Sequence, residues 1–226
     1  MKKAVILLSG GLDSATVMAI AKKEEYQIYA LSFSYGQRHN IELEFAKKIA
    51  KQFQAKEHKI ANIDLRIFGH SALTDQKLEV PKDQDVDNQK NIPITYVPAR
   101  NTIFLSFALA YAETIKANDI FIGANAVDYS NYPDCRPEFI LAFENLANFA
   151  TAVNSKFKIH APLINLTKSQ IIKTGLELEV DYGTAHSCYD PIIKNSKSYA
   201  CGKCDSCLLR LKGFQENNIQ DPYLYF

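Results

Sequence analysis

The sequence holds no run long and apolar enough for a membrane. Its first apolar stretch, Ala4 to Leu8 behind Met1-Lys2-Lys3, is far short of the about 20 residues a spanning helix needs. That stretch has no small-residue cleavage site and runs straight into glycines, so it is a poor secretory signal. Neither charge is in excess: 26 Lys and Arg face 25 Asp and Glu. A mainly electrostatic nucleic-acid binder would carry a basic surplus. Internal repeats and low-complexity tracts are also missing. These absences predict a soluble, cytoplasmic chain with no membrane partner and no stable nucleic-acid partner. The 226 residues fit one large domain, or one plus a small appendage, and 47% apolar content is enough for a core.

The cysteine count is odd. Of five, four lie between positions 188 and 207. Structural disulfides are rare in the cytoplasm, so clustered cysteines suggest a metal before a bridge.

Ala4–Leu8 reads as a buried parallel strand bounded by Ser9-Gly10-Gly11. A helical pattern follows from Asp13 to Lys23, with Lys22 and Lys23 at the end where cations are favoured. Ile28–Phe33 reads as a second strand, Ile41–Phe53 as an amphipathic helix and His58–Ile63 as a third strand. Residues 74–91 are polar and mixed in charge, contain Pro81, and predict a long mobile loop, of the kind that serves as a lid or is disordered. Thr102–Ile115 is apolar almost all round and predicts a deeply buried helix. Asp119–Gly123 reads as a strand. Glu138–Val153 reads as a helix with Phe139, Phe143, Leu146, Phe149 and Ala150 on one side. A last strand at Phe157–Leu163 precedes a helix at Thr167–Leu178, capped by Thr167 or Asn165. Strands alternating with helices predict an α/β fold with a parallel sheet covered on both faces.

The strongest local signal is Ser9-Gly10-Gly11-Leu12-Asp13-Ser14 between a strand and a helix. Glycines let backbone N–H groups approach an anion, and the new helix directs its positive end at the same spot. Asp13 would repel phosphate, so it caps the helix, orients the loop or helps hold a magnesium ion. The bland alternative is a glycine turn with Asp13 or Ser14 as a helix cap. The Lys of the usual nucleoside-triphosphatase loop is absent.

Cys188, then Cys201, Cys204 and Cys207, match a tetrahedral four-sulfur zinc site with no open position, hence structural Zn2+. An iron–sulfur cluster or a redox dithiol are the alternatives. His186 is a possible substitute ligand or a polar lining residue. Cys135 stands apart and reads as a small buried hydrophobe.

The hexapeptide after the first strand resembles the loop of the N-type ATP pyrophosphatases, the PP-loop superfamily. That resemblance implies a doubly wound, adenine nucleotide alpha hydrolase-like α/β fold. It also implies ATP contacts along Leu8, Ser9, Gly10, Gly11, Leu12, Asp13, Ser14, Ala15, Thr16, Val17 and Met18. Three further segments narrow the resemblance: Ser34-Tyr35-Gly36-Gln37-Arg38-His39, Val97-Pro98-Ala99-Arg100-Asn101-Thr102, and the run from Asp128 to Phe139 through Asn131-Tyr132-Pro133-Asp134-Cys135-Arg136. With the C-terminal cysteines, they resemble the 7-cyano-7-deazaguanine synthase family over nearly the whole chain. Asn131 and His70 depart from it, standing at positions usually held by small residues.

The resemblance implies a ligase that uses 7-carboxy-7-deazaguanine, ammonia and ATP with Mg2+, works as a homodimer, and adenylates first a carboxylate and then an amide. With no room for a glutaminase domain, free ammonia is the expected nitrogen donor. It implies an ATP-binding domain at 1–185 and a zinc-binding segment at 186–226, which is too short to build its own core. Catalytic roles are expected for Asp13, Ser14, Arg100 and Lys168, the latter two offsetting phosphate charge. Tyr132 would stack on the ring, Asp134 accept from its amine edge and Arg136 meet the carboxylate; a loop aromatic and a surface ion pair are the plain readings of Tyr132 and Arg136. Arg38 and His39 are further candidates to face the site. The rivals are a tRNA-modifying thiolase on the same loop, and a non-enzymatic zinc knuckle binding nucleic acid through Lys203, Arg210 and Lys212.

Overall fold

The computed structural model describes residues 1–39, 41–86, 91–127, 132–152, 156–194 and 197–226. Five strands form one sheet: β1 (Lys3–Leu7), β2 (Gln27–Ser34), β3 (Glu57–Asn62), β4 (Asp119–Phe121) and β5 (Lys158–His160). Their order is β3-β2-β1-β4-β5 and every pairing is parallel. The helices are α1 (Leu12–Lys23), α2 (Ile41–Gln52), α3 (Arg100–Ile115), α4 (Pro137–Ala150), α5 (Lys168–Glu177) and α6 (Asp205–Glu216). A two-stranded antiparallel hairpin, β6 (Ile192–Lys194) with β7 (Lys197–Tyr199), lies apart from the sheet. Among the described residues no helix is long and apolar enough to cross a membrane.

Strand parity divides the core. Ala4, Ile6, Ile28 and Ala30 pack with buried residues of α1, α2 and α5, whereas Val5, Leu7, Leu31 and Phe33 pack with those of α3 and α4. Alternate side chains of a strand face opposite sides, so runs apolar at every position are what a sheet covered on both faces requires. The chain lays β2 and β3 on one side of β1, then crosses to lay β4 and β5 on the other. The crevice between β1 and β4, at their C-terminal ends, is therefore a topological switch point, where open α/β sheets bind ligands.

Thr167 caps α5 as expected: its hydroxyl accepts from Gln170 N, and the Gln170 side chain accepts from Thr167 N. Other expectations are corrected. The buried stripe of α4 is Ile140, Phe143 and Ala147, while Leu146 and Phe149 are exposed. The α3 helix is not buried all round, because Ser106, Phe107 and Ala110 face solvent. The first part of the expected mobile loop is pinned. Arg38 donates from Nε to Ala72 O at 2.7 Å and from Nη2 to the carbonyls of Asp75, Gln76 and Leu78. Val80 then packs against the cysteine cluster; residues 87–90 of that loop, like 128–131 of the long motif, lie outside the described residues. His70 has φ +63°, which glycine adopts without strain and other side chains rarely do.

No sequence pattern pointed to α6, which joins the tail to the core through Phe214 and Arg210. Arg210 is 2% exposed, and its guanidinium meets Asp221 twice, Nε–Oδ2 at 2.7 Å and Nη2–Oδ1 at 2.8 Å. It also donates to the carbonyls of Ala185 and Tyr182, at 2.6 and 2.7 Å. Burial pushes the Asp221 carboxyl up, but Arg210 outweighs this and holds it below its ordinary 3.8. A depressed carboxylate stabilises the fold above its unfolded pKa, and that contribution disappears as pH falls through the folded value. Asp221→Asn is therefore expected to cost about 3–5 kcal/mol at pH 7, as when a buried pair is broken. In urea denaturation the gap to the unsubstituted chain should begin to narrow as pH falls below the ordinary 3.8 and go on narrowing through the lower, folded value; a gap that is the same at pH 7 and at pH 2 refutes this account.

Candidate active site

The Ser9–Ser14 loop turns directly from β1 into α1. Gly10 has φ +87°, and a side chain there would collide with the Glu42 carbonyl and come within 2.9 Å of Ala46 N. The loop is thus pressed against the backbone of α2, a contact only glycine permits. From the other side, His186 N donates to Gly10 O at 2.8 Å. Gly11, not Asp13 or Ser14, is the helix cap, and no side-chain capping bond is made. Ser14 Oγ instead donates to Gly11 O at 3.0 Å, and Ser9 Oγ lies 3.1 Å from Ser14 Oγ.

The carboxylate of Asp13 is held by Lys168, with Nζ at 2.7 Å from Oδ1 and 2.9 Å from Oδ2. Lys168 is the first residue of α5, 7% exposed, and Gly213 of α6 lies flat against it. The pair gives the acid of this glycine loop a structural part: Asp13 fixes the Lys168 ammonium, and the two charges offset one another.

A cavity of about 210 Å³ opens at this switch point. Leu8, Ser9, Gly11, Leu12, Asp13 and Ser14 line it, together with Lys168, Arg100, Tyr132 and Cys135. Ala15, Thr16, Val17 and Met18 do not; they are fully buried in the first turns of α1. Arg100 begins α3, straight after Ala99, whose φ of +53° is left-handed. Tyr96 secures that turn by accepting from Ala99 N at 3.0 Å. Burial works against the Arg100 charge, but Tyr35 and Asp134 more than compensate and hold its pKa above the ordinary value.

Tyr132 is buried, with its hydroxyl 2.8 Å from that of Thr95. Asp134 is also buried, but it faces α3: Oδ2 accepts from Asn101 N at 2.9 Å. Burial raises its carboxyl, against Asn101 and Arg100. Arg136 is exposed at the start of α4 and is not part of the cavity wall. Nor are Arg38 and His39. Arg38 clamps the 72–78 carbonyls, and His39 Nε2 lies 4.0 Å from Asp190. Cys135 is a buried thiol pushed up to about 11 by burial, with Asn101 Nδ2 at 3.4 Å from its sulfur.

Three lining residues gave no sequence signal: Glu42 in the first turn of α2, Ser187 and Tyr189; Asn101 lay in a motif without a role of its own, and Arg210 was read only as a nucleic-acid contact. Burial pushes the Glu42 carboxyl up to about 7, opposed by Arg100. Only its sequence proximity to the Ser34–His39 segment could have hinted at it.

The four cysteines 188, 201, 204 and 207 are buried and their sulfurs lie within 4.8 Å of one another. A tetrahedral zinc with 2.3 Å bonds needs sulfurs about 3.8 Å apart, so the cluster fits one such ion. Backbone N–H groups of Asp190, Cys201 and Cys204 point at the sulfurs from 3.3 Å, which favours thiolates. His186 is no ligand. Its ring stacks on Phe45, and its nitrogens meet the Tyr223 hydroxyl at 2.8 Å and Cys188 O at 2.9 Å. Burial lowers its pKa to about 4, so it is neutral.

Gly10→Ala is expected to cost about 2–4 kcal/mol, from left-handed strain and the overlap with α2. Urea denaturation measures it, and a loss below about 1 kcal/mol means that the loop is not locked as described.

The chain matches the family "Queuosine biosynthesis protein QueC" over residues 3–218. It is 62% identical to the 7-cyano-7-deazaguanine synthase of Desulfatibacillum aliphaticivorans, over 99% of this chain and 97% of that protein. It is 57% identical to the synthase of Rickettsia felis over the full length of both. Among solved structures, NMN synthetase from Francisella tularensis superposes with a TM-score of 0.52 at 18% identity, covering 96% of this chain and 77% of that one, a likeness of fold. The four separated motifs, the parallel sheet with its loop at the switch point, and these relatives agree: the chain belongs to the QueC family of queuosine biosynthesis, the ligases known as 7-cyano-7-deazaguanine synthases.

Proposed function

We propose that this chain makes 7-cyano-7-deazaguanine from 7-carboxy-7-deazaguanine and ammonia by spending ATP twice on the same carbon. The observation that carries the reading is the shared cavity: the anion-binding loop, Lys168, Arg100 and Tyr132 all face one space. The triphosphate, with its Mg2+, lies along Leu8, Ser9, Gly11, Leu12, Asp13 and Ser14, against the N-terminus of α1. Gly10 holds the loop in shape from behind. Lys168, aimed by Asp13, and Arg100 offset the charge that grows as pyrophosphate departs.

A carboxylate oxygen is a poor leaving group, and AMP is a good one. The substrate carboxylate attacks the α-phosphorus and becomes an acyl adenylate. Ammonia displaces AMP and leaves the amide. The amide oxygen is then adenylated in the same place, and loss of AMP with the remaining N–H proton gives the nitrile. One loop serves both rounds because both oxygens are on one carbon. Tyr132 offers its ring as a wall for the deazaguanine. Asp134 acts at one remove, by fixing Asn101 and the start of α3.

Zn2+ held by Cys188, Cys201, Cys204 and Cys207 is structural in this reading, since four sulfurs leave no open coordination position. A homodimer is supported by the exposed Leu141, Leu146 and Phe149 of α4, the last 92% exposed, alongside Phe107 of α3. Thiolation is disfavoured because Cys135 is the one cysteine outside the cluster. The nucleic-acid knuckle loses its central cation, because Arg210 is buried against Asp221.

Mass spectrometry of the product tests the reading. With ATP, magnesium and ammonium, 7-carboxy-7-deazaguanine should become the nitrile with two AMP released per turnover; an unchanged carboxylate sinks the proposal. Cys204→Ser should reduce zinc from about one per chain to a small fraction of that and lower the melting temperature, as loss of a structural site does. A variant that is metal-free, folded and fully active overturns the structural-zinc assignment.

A further inference from the structure

The dehydration of the adenylated amide needs a base, and none of the residues already given a role supplies one. Two N–H protons must leave the amide nitrogen. The first is lost as the amide oxygen attacks phosphorus and is carried off by the departing pyrophosphate. The second must be removed as the C–O bond breaks, so that the N–H electron pair forms the third C–N bond and AMP leaves with the C–O pair.

Most titratable groups on the cavity wall are committed elsewhere. Asp13 is paired with Lys168 at 2.7 Å. Both ring nitrogens of His186 are engaged, with Tyr223 and with Cys188 O. Arg100 and Arg210 are fixed cations. Burial raises the phenols of Tyr35 and Tyr132, the first to about 12, and the Cys135 thiol to about 11. Glu42 remains. It lines the cavity from the first turn of α2, whose backbone is pressed against Gly10 of the phosphate loop. Its carboxyl is electrostatically coupled to Tyr35, after β2, and to Arg100, at the start of α3. It therefore stands where the loop wall meets the Arg100 wall. The adenylation reading places the reacting carbon there too, since it has to reach the α-phosphorus at the loop with its ring along Tyr132, and all these residues line one cavity.

We propose that Glu42 is the catalytic base of the nitrile-forming step, its carboxylate taking the last proton from the nitrogen of the adenylated amide and passing it to water. The inference rests on the adenylation reading above and adds a residue to it. A half-buried carboxyl on the cavity wall, raised to about 7, suits the task, since it is partly ionised at working pH and still basic enough to accept a proton. Amide formation makes no such demand, because the ammonium-like nitrogen left after ammonia attack sheds its proton readily to water.

The test uses the full-length, zinc-loaded enzyme and the variants Glu42→Gln and Glu42→Asp. Given the carboxylate, Glu42→Gln should still form amide and accumulate it. Given the amide, its kcat for nitrile should fall by roughly 100-fold or more, the usual worth of a positioned base, with KM little changed. The acid limb of the unsubstituted enzyme on amide, near pH 7, should vanish in Glu42→Gln and persist in Glu42→Asp at a reduced rate. Folding is controlled independently. A carboxyl with a raised pKa costs the fold stability once pH exceeds its unfolded value, so Glu42→Gln should melt higher than the unsubstituted chain at pH 8 and equally at pH 4. Nitrile formation by Glu42→Gln at the normal rate with the acid limb intact overturns the proposal. So does equal slowing of both rounds with a raised KM. If the unsubstituted enzyme yields neither amide nor nitrile from the carboxylate, the adenylation reading itself has failed.

Discussion

The site depends on how one buried guanidinium holds a short piece of chain. Arg210 bonds the carbonyls of Tyr182 and Ala185 while Asp221 neutralises it. The residues that follow Ala185 do three jobs in succession. His186 supports the loop through Gly10 O, Ser187 lines the cavity, and Cys188 joins the cysteine cluster. An arginine with several planar donors suits this task, since each N–H meets a fixed acceptor and none is left unsatisfied in the interior. Burying its charge without Asp221 would cost more than these carbonyl bonds return.

The cysteine cluster and the cavity are therefore neighbours along one strand of chain. Ser187 and Tyr189, on either side of Cys188, both line the cavity. The cluster thus shapes the space beside it, because moving Cys188 moves both flanking residues. Helix α6 makes a second link: it begins within the cysteine cluster, and its Gly213 lies against Lys168. In the reading proposed above, an ion held by the four sulfurs would also steady the lysine that lines the cavity.

What could be read from the sequence was what is local in it. The Ser9–Ser14 loop is six consecutive residues whose chemistry needs no partner to be recognised, and the cysteine spacing encodes its own geometry. Strands β1 and β2 were legible because burial on both faces leaves a nearly uninterrupted apolar run. Glu42, Asn101 and Arg210 were not, since their roles arise from residues far away along the chain: Arg100 for Glu42, Asp134 for Asn101, Asp221 and Ala185 for Arg210. Helix α6 escaped notice because four of its buried positions are polar or glycine, Asp205, Ser206, Arg210 and Gly213, which breaks the apolar stripe. In α4 the opposite problem arose. The helix carries more apolar residues than one face can bury, so periodicity alone chose the wrong stripe.

The contact between Gly213 and Lys168 has a consequence for how such a protein can change over generations. The tail is fastened to the reaction centre through backbone-tight packing, so it is not free to drift as a surface appendage would. A swap that joined the first part of one relative to the C-terminal segment of another would have to match helix against helix at this point, or misdirect the lysine. The contact thus ties together two positions about 45 residues apart, so that a change at Gly213 is felt at Lys168.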